Sequence, residues 1–229
     1  MREVLDRRGV RVYEDTLAPP QLARLRRWAD QVTYRGVHAD GWRPVWRLGD
    51  GEPLRGPTWS VGADPSEEQA AEAPVPTALH PLAEVVRALL LVGDDARARV
   101  SLTPWVYPRG TGLGLHRDDG RFGGSYVYYF GPEWDVHWGG LLNCVVEPPT
   151  DADGARAVFD PTDERRSLHA AVGGLWIAPA PNRLVVLAPH VRHFISRVEA
   201  DAGDRARLSI GGFVHRPGGP HRGPTPRPG

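Results

Sequence analysis

The segment LGLHRDDGRFGG (113–124) places a histidine and an aspartate at a spacing that suits a metal ion. His116 and Asp118 are two residues apart, so on a strand their side chains leave the same face and can share one ion. An iron(II) site that activates oxygen needs two imidazoles and one carboxylate on one face, with other positions left open. Asp119 would face away from His116 and is predicted to be a turn residue. Two of the three ligands are therefore predicted here.

The third ligand must come from a distant strand, and RLVVLAPHVRHFISRV (183–198) offers two histidines. His190 follows Pro189 at a turn, whereas His193 begins a strand-like run. We predict His193 as the ligand, and His190 is the alternative if the strand begins earlier. His116, Asp118 and His193 are thus the predicted metal ligands and catalytic residues.

The elements that must position these residues are two helices followed by many short strands. The helices are predicted at QLARLRRWADQV (21–32), which follows a Pro-Pro pair, and at PLAEVVRALLLVG (81–93). One strand is predicted before them at VRVYEDTL (10–17), and from residue 99 the sequence breaks into eight short strand-like runs. The eight runs are RVSLTPWVY, GLGLHRD, SYVYYF, GGLLNCVVE, VGGLWIA, RLVVLA, HFISRVEA and RARLSIGGFVH. This order predicts a mainly β fold, a jelly roll (double-stranded β-helix, cupin-like) with helices on one outer face.

The length of 229 residues fits one domain. We expect a single domain over 1–216, with helical support and loops in 1–98 and the jelly-roll core in 99–216. Residues 147–170 are predicted to be a long loop, and the Pro- and Gly-rich segment 217–229 a disordered tail.

The composition excludes several partners. Twenty-eight basic residues balance 28 acidic ones, so no global field would draw the chain to nucleic acid or to an anionic membrane. No apolar run approaches the length that spans a bilayer. The single Cys144 and the charged start MREVLDRRGVRVYED, which lacks a signal-peptide pattern, lead us to expect a cytoplasmic protein.

Over residues 99–214 the sequence resembles the iron(II)- and 2-oxoglutarate-dependent dioxygenases, specifically their prolyl-hydroxylase-like branch. Four motifs carry the resemblance. The first is YPRGTGLGLHRD, with Tyr107 nine residues before His116, and the second is YYFGPEWDVHWGGLL, with its Trp and Gly-Gly pair. The third is HFISRV, which is similar to the family's distal iron histidine, and the fourth is RLSIGGF, which is similar to the family's Arg-x-Ser/Thr motif fourteen residues after that histidine.

The last motif also has a physical reading of its own. A five-carbon keto-diacid that chelates iron at one end leaves a carboxylate buried at the other, and burying it unpaired would be costly. Arg207 can bind this carboxylate with two parallel hydrogen bonds, and Ser209 on the same face adds a hydroxyl. The chain contains no lysine, so the anchor must be a guanidinium. Tyr107 is a third cosubstrate-binding candidate, with core packing as its alternative role.

The resemblance implies Fe(II), 2-oxoglutarate and O₂ as cofactor and cosubstrates, with ascorbate as an optional reductant. It implies oxidative decarboxylation to succinate and CO₂ coupled to hydroxylation of a substrate C–H bond. Halogenating relatives lack the metal carboxylate that Asp118 supplies, so hydroxylation is favoured. Nucleic-acid demethylases of the superfamily carry a second arginine six positions after the first, where this chain has Phe213, and this again excludes nucleic acid.

The sequence constrains the substrate less than it constrains the fold or the cofactors. The compact chain favours a small amino-acid-like or natural-product molecule, and the nearest resemblance keeps a peptidyl-prolyl substrate as an alternative. Two further alternatives are a jelly-roll module with a non-redox metal or none, and a cupin-type oxygenase or isomerase that uses no keto acid. Other candidates near the metal have both a substrate-binding and a structural interpretation, namely Arg109, Arg117, Arg121, Arg197, Asn143 and the tryptophans Trp42, Trp46 and Trp59.

Overall fold

The computed structural model describes residues 1–38, 48–62, 74–90, 99–118, 122–145 and 173–215. The predictions for Trp42, Trp46, the end of the second helix at Gly93, Asp119, Arg121, the loop 147–170 and the tail 217–229 lie outside these ranges. The two helices are α1 (Pro19–Ala29) and α2 (His80–Leu90). Neither of these, nor any other helix in the described ranges, is long and apolar enough to cross a membrane.

The described strands run antiparallel to their neighbours. They are β1 (Arg2–Arg7), β2 (Val10–Glu14), β3 (Arg35–Gly36), β4 (Leu54–Arg55), β5 (Trp59–Val61), β6 (Arg99–Tyr107), β7 (Leu113–His116), β8 (Phe122–Tyr129), β9 (Leu142–Val145), β10 (Gly174–Ile177), β11 (Arg183–Leu187), β12 (Arg192–Ile195) and β13 (Arg207–His215). Within the described ranges, the larger sheet has nine strands in the order β1-β2-β11-β8-β13-β6-β4-β3, with β5 also paired to β6. The smaller sheet has four strands in the order β10-β9-β12-β7.

Helix α1 begins two residues earlier than its sequence pattern predicts, because prolines occupy its first two positions. Proline suits these positions since its missing N–H would have no intrahelical partner there. The side chain of Gln21 accepts a hydrogen bond of 2.9 Å from the backbone N–H of Ala18 and so caps the same end. The helix buries Leu25 and Ala29.

The larger sheet is the middle of three layers. One cluster of buried side chains joins α1 and α2 to one face of this sheet, and includes Leu25, Leu82 and Tyr128. A second cluster joins its other face to the smaller sheet, and includes Tyr129, Leu142 and Ile195. Successive residues of a strand face opposite ways, so each strand of the larger sheet contributes to both clusters.

The predicted fold class is confirmed: the chain is a jelly roll with helices on one outer face. Each of the eight strand-like runs from residue 99 overlaps one strand, and the first, β6, spans the predicted residues 99–107. The strand predicted at 10–17 is β2, which ends at Glu14. Four strands were not predicted, namely β1, β3, β4 and β5. The pattern of β1 is weak because five of its six residues are exposed, and the other three have only two or three residues each.

Candidate metal and cosubstrate site

The structure brings the three predicted metal ligands together between the two sheets. His116 is the last residue of β7 and lies directly opposite His193 of β12 in the strand register. Asp118 lies two residues beyond the end of β7, so it follows the strand instead of lying on it. Candidate ligand atoms of the three residues all lie within 4.8 Å of one another.

The two imidazoles are oriented alike by backbone carbonyls. Nδ1 of His116 lies 2.8 Å from the carbonyl oxygen of Gly114, and Nδ1 of His193 lies 3.0 Å from that of Val191. A carbonyl can only accept, so Nδ1 of each ring carries the proton and donates it. The Nε2 lone pair of each ring then remains for an ion, and both Nε2 atoms lie 3.9 Å from a carboxylate oxygen of Asp118.

The site is nearly closed to solvent, which keeps the imidazole of His116 in the form that binds metals. The side chains of all three residues are less than a tenth exposed. Burial, together with the neighbouring His193, lowers the pKa of His116 to about 4. His116 is therefore neutral at pH 7, and neutral imidazole is the metal-binding form.

Asp118 is held by a residue from the opposite sheet. The hydroxyl of Ser125, on β8, donates a short hydrogen bond to Oδ2 of Asp118. Both residues are buried. The carboxylate is thereby fixed between two histidines of the smaller sheet and a serine of the larger one.

Arg207 lies on the larger sheet and is among the most buried side chains of the described residues, with 1% exposure. Its guanidinium donates to Oγ of Ser209 at 3.3 Å and to the hydroxyl of Tyr129 at 3.1 Å. Its Nε is buried and has no hydrogen-bond partner, and within the described ranges no carboxylate pairs with it. A buried cation without an acid requires an anion.

Two tyrosine rings flank this cation. The guanidinium carbon of Arg207 lies 5.0 Å from the ring centre of Tyr107 and 4.8 Å from that of Tyr129. Tyr107 lies opposite Arg207 in the strand register and belongs to the interior cluster, so it packs against the anchor while filling the core. Burial raises the pKa of Tyr129, so its hydroxyl keeps its proton at pH 7 and can donate it to a bound carboxylate.

Other sequence candidates lie away from the site. His190 is exposed and lies outside the ligand group. Asn143 pairs with Phe194, so it lies on the face of the smaller sheet opposite to His193, and its amide donates to the carbonyl of Leu141 at 3.0 Å. Arg197 joins two loops, since it donates to the carbonyls of Gly110 and Gly49 at 2.9 and 2.5 Å.

The remaining candidates do not form part of the ligand group either. Arg109 is exposed and Arg117 is half-buried. Trp59 packs edge-on against Trp28 of α1, with ring centres 5.3 Å apart. This contact fits the structural interpretation of Trp59, in which it packs a helix against the sheet.

Comparison with solved structures gives the same architecture over most of the chain. A prolyl-4-hydroxylase from Pseudomonas putida is 20% identical, with a TM-score of 0.52 over 92% of this chain and 94% of that one. A 2OG-Fe(II) oxygenase-family oxidoreductase from Burkholderia pseudomallei is 16% identical, with a TM-score of 0.54 over 91% and 85%. The epimerase SnoN, solved with Fe3+, alpha-ketoglutarate and nogalamycin RO, is 13% identical, with a TM-score of 0.54 over 92% and 80%. This chain has the fold of the 2OG-Fe(II) oxygenases. No family model and no curated protein matches the sequence.

Within this oxygenase fold, two site residues were missed by sequence reasoning, and both lie on β8. Ser125 and Tyr129 are four residues apart, so they share the face that looks toward the smaller sheet. The alternation in SYVYYF was visible, but the sequence did not show which face meets the His-Asp-His group. The pairing of β8 with β13 decides it, because this register places Tyr129 opposite Ser209.

Proposed function

We propose that the chain is an iron(II)- and 2-oxoglutarate-dependent dioxygenase that hydroxylates an unactivated C–H bond. The observation that carries this proposal is the pairing of two sites across the sandwich. A His-Asp-His group within 4.8 Å lies on one side, and a buried arginine without an acid partner in the described ranges lies on the other. Two nitrogens and one oxygen suit iron(II), and the unmatched guanidinium suits a carboxylate.

The residues have separate binding roles. His116, Asp118 and His193 would hold iron(II) through two Nε2 atoms and one carboxylate oxygen. Arg207 and Ser209, with the hydroxyl of Tyr129, would bind the far carboxylate of 2-oxoglutarate. Bound iron(II) and 2-oxoglutarate supply the oxidation, in which O₂ and the keto acid give succinate and CO₂ while one oxygen atom enters the substrate C–H bond. The apolar side chains clustered with Tyr107 and Tyr129 would limit the entry of water once substrate is bound.

We infer that the substrate carries an apolar ring, because aromatic side chains follow Ser209 along β13, next to the Ser125 that bonds to Asp118. Phe213 lies opposite Ser125 in the register, and its ring stacks on Phe122 at 4.3 Å between centres. His215 meets the same Phe122 ring edge-on at 5.0 Å. These residues face the interior on the side of Ser209 away from Arg207, where a substrate would reach the metal.

Such a wall suits a small natural product, which is our first proposal for the substrate. The prolyl ring of a peptide is the second, favoured by the likeness to a prolyl-4-hydroxylase. Nucleic acid is the least suited, because the net charge is zero and Phe213 occupies the position of a second arginine.

Anaerobic addition of iron(II) and 2-oxoglutarate tests the class of the protein. A weak visible charge-transfer band is expected for the wild type and for the exposed-histidine control His190→Ala, and its loss is expected for His193→Ala. A non-redox binding module would give no band in any of the three proteins, and the proposal would then be wrong.

Succinate release tests turnover and substrate. Free amino acids, ring-bearing natural products and short proline peptides would each be screened for stimulation of succinate formation. Stimulation by peptides alone would select the prolyl alternative. Substrate oxidation without succinate would point to an oxygenase that uses no keto acid.

A further inference from the structure

Among the residues that the structure describes, the carboxylate of Asp118 has one hydrogen-bond partner outside the His-Asp-His group, and this partner lies on the other sheet. Ser125 of β8 donates its hydroxyl proton to Oδ2 of Asp118. Asp118 follows β7 of the smaller sheet, so this hydrogen bond joins the two sheets at the metal ligands. Both residues are buried, with exposures of 6% for Ser125 and 9% for Asp118.

The hydrogen bond makes the two carboxylate oxygens unequal. Oδ2 receives the hydroxyl of Ser125 and lies 3.9 Å from Nε2 of His193, whereas Oδ1 lies 3.9 Å from Nε2 of His116 and, among the described residues, receives no hydrogen bond of this kind. A carboxylate held in this way presents one oxygen to an ion. If both oxygens bound, the second would occupy a coordination position that the keto acid or O₂ needs.

Ser125 is itself held firmly, which makes it an effective support. It lies in the middle of the larger sheet, where β8 pairs with both β11 and β13, and its neighbours in register are Leu187 and Phe213. Substitution of residues that orient metal ligands in this way typically lowers metal affinity about 10- to 100-fold.

We propose that Ser125 is a positioning residue that holds Asp118 in one-oxygen coordination, and so sets metal affinity and keeps room for the keto acid. This inference rests on the proposed function, since it assigns Ser125 a role toward the same metal. It goes beyond that function because it assigns metal affinity to a residue that is not itself a ligand. The effect of Ser125 on metal affinity should also be separable from its effect on folding stability.

The test is titration of the metal-free protein with cobalt(II) alone, an ion whose visible absorption reports binding without turnover. Ser125→Ala is expected to bind cobalt(II) about 10- to 100-fold more weakly than the wild type. Ser125→Thr, which retains a hydroxyl, should restore affinity to within a few-fold. The matched control is Ser101→Ala, because Ser101 is also a buried serine of this sheet, and its Oγ accepts the backbone N–H of Phe213 at 2.9 Å instead of contacting Asp118.

A second readout separates positioning from packing. Thermal unfolding of the metal-free proteins should show comparable losses for Ser125→Ala and Ser101→Ala, since each removes one buried hydroxyl. Only Ser125→Ala should need more 2-oxoglutarate to develop the anaerobic iron(II) charge-transfer band. If Ser125→Ala fails to fold, Ser125→Cys keeps the size of the side chain with a weaker donor, and the same weakened binding is expected.

The outcomes distinguish this inference from the proposed function. Wild-type cobalt affinity and an unchanged 2-oxoglutarate requirement in Ser125→Ala would overturn the role of Ser125 while leaving the enzyme assignment in place. A wild-type protein that neither binds cobalt(II) nor gives the iron(II) band would overturn both.

Discussion

The two faces of the larger sheet are built from the same strands and differ in chemistry. The face toward the helices buries apolar and aromatic side chains such as Tyr128 and Ile210. The face toward the smaller sheet carries Ser125, Tyr129 and Arg207. Side chains alternate along a strand, so a single strand such as β8 supplies both.

Residues that stabilise the fold and residues that can carry chemistry therefore alternate along these strands. The helix face stabilises the fold through burial of apolar area. The other face contains a buried guanidinium without an acid in the described ranges, which costs stability until an anion arrives. Substitutions on the two faces should therefore have separable effects.

The largest effect is expected from Arg207→Met, which would test the chemical face. Loss of the guanidinium should weaken 2-oxoglutarate binding about 100-fold or more, because it leaves the far carboxylate buried and unpaired. Without 2-oxoglutarate, the free energy of unfolding should be unchanged or higher, because an unmatched buried charge is removed. Isothermal titration and urea unfolding measure the two quantities. A large loss of stability with intact 2-oxoglutarate binding would show that Arg207 is structural.

The helix face should behave in the opposite way, and Leu82→Ala of α2 tests it. Leu82 is fully buried in the helix-facing cluster. Its truncation should lower the free energy of unfolding by about 2–5 kcal/mol through lost burial and a residual cavity. Cobalt(II) affinity of the folded fraction should stay at the wild-type value. A parallel loss of metal affinity would mean that the two faces are coupled through the sheet.

The alternation of side chains along each strand could be predicted from the sequence. The pairing and register between strands could not. The period of two in RVSLTPWVY and SYVYYF, with turn residues between runs, was sufficient to place strands and to predict the fold class. His116 was found because Asp118 stands two residues after it, and His193 because it begins a strand-like run whereas His190 follows Pro189 at a turn. Arg207 was found because its Arg-x-Ser motif stands fourteen residues after His193.

Ser125 and Tyr129 show what a single sequence leaves undetermined. Serine and tyrosine are ordinary strand residues, and their roles arise only when β8 pairs with β13 and faces the smaller sheet. A shift of one residue in this register would turn both away from the metal. The structure brings Asp118 next to the two histidines, but not from the expected position on the strand, because β7 ends at His116 and the aspartate lies beyond it.

A smaller effect on 2-oxoglutarate affinity is expected from Tyr129→Phe, which removes a single hydroxyl from the face toward the smaller sheet. The variant keeps the ring beside Arg207 and removes the atom that accepts the guanidinium N–H at 3.1 Å. We expect 2-oxoglutarate affinity to fall about 10-fold, in line with loss of one hydrogen bond to a charged group. Tyr128→Phe is the control on the other face, where the lost bond is to Asn182. Equal loss of 2-oxoglutarate affinity in both variants would contradict the separation of the faces.

The smallest effect is expected at a partly exposed ion pair of the same sheet. Its contribution to the free energy of unfolding should depend on pH and should not depend on the cosubstrate. Arg183 of β11 bonds to Glu14 of β2 at 2.6 Å and lowers the pKa of this carboxyl below its usual 4.5, with a further contribution from Arg2. Because the folded pKa is the lower one, the stabilisation is present above the unfolded value and is lost as the pH falls through the folded value. Glu14→Gln should therefore unfold slightly more easily than the wild type at pH 7, by under about 1 kcal/mol since the pair is partly exposed. The difference should shrink as the pH is lowered below 4.5 in urea titrations, and an equal difference at pH 7 and at acidic pH would mean that the charge of Glu14 contributes nothing.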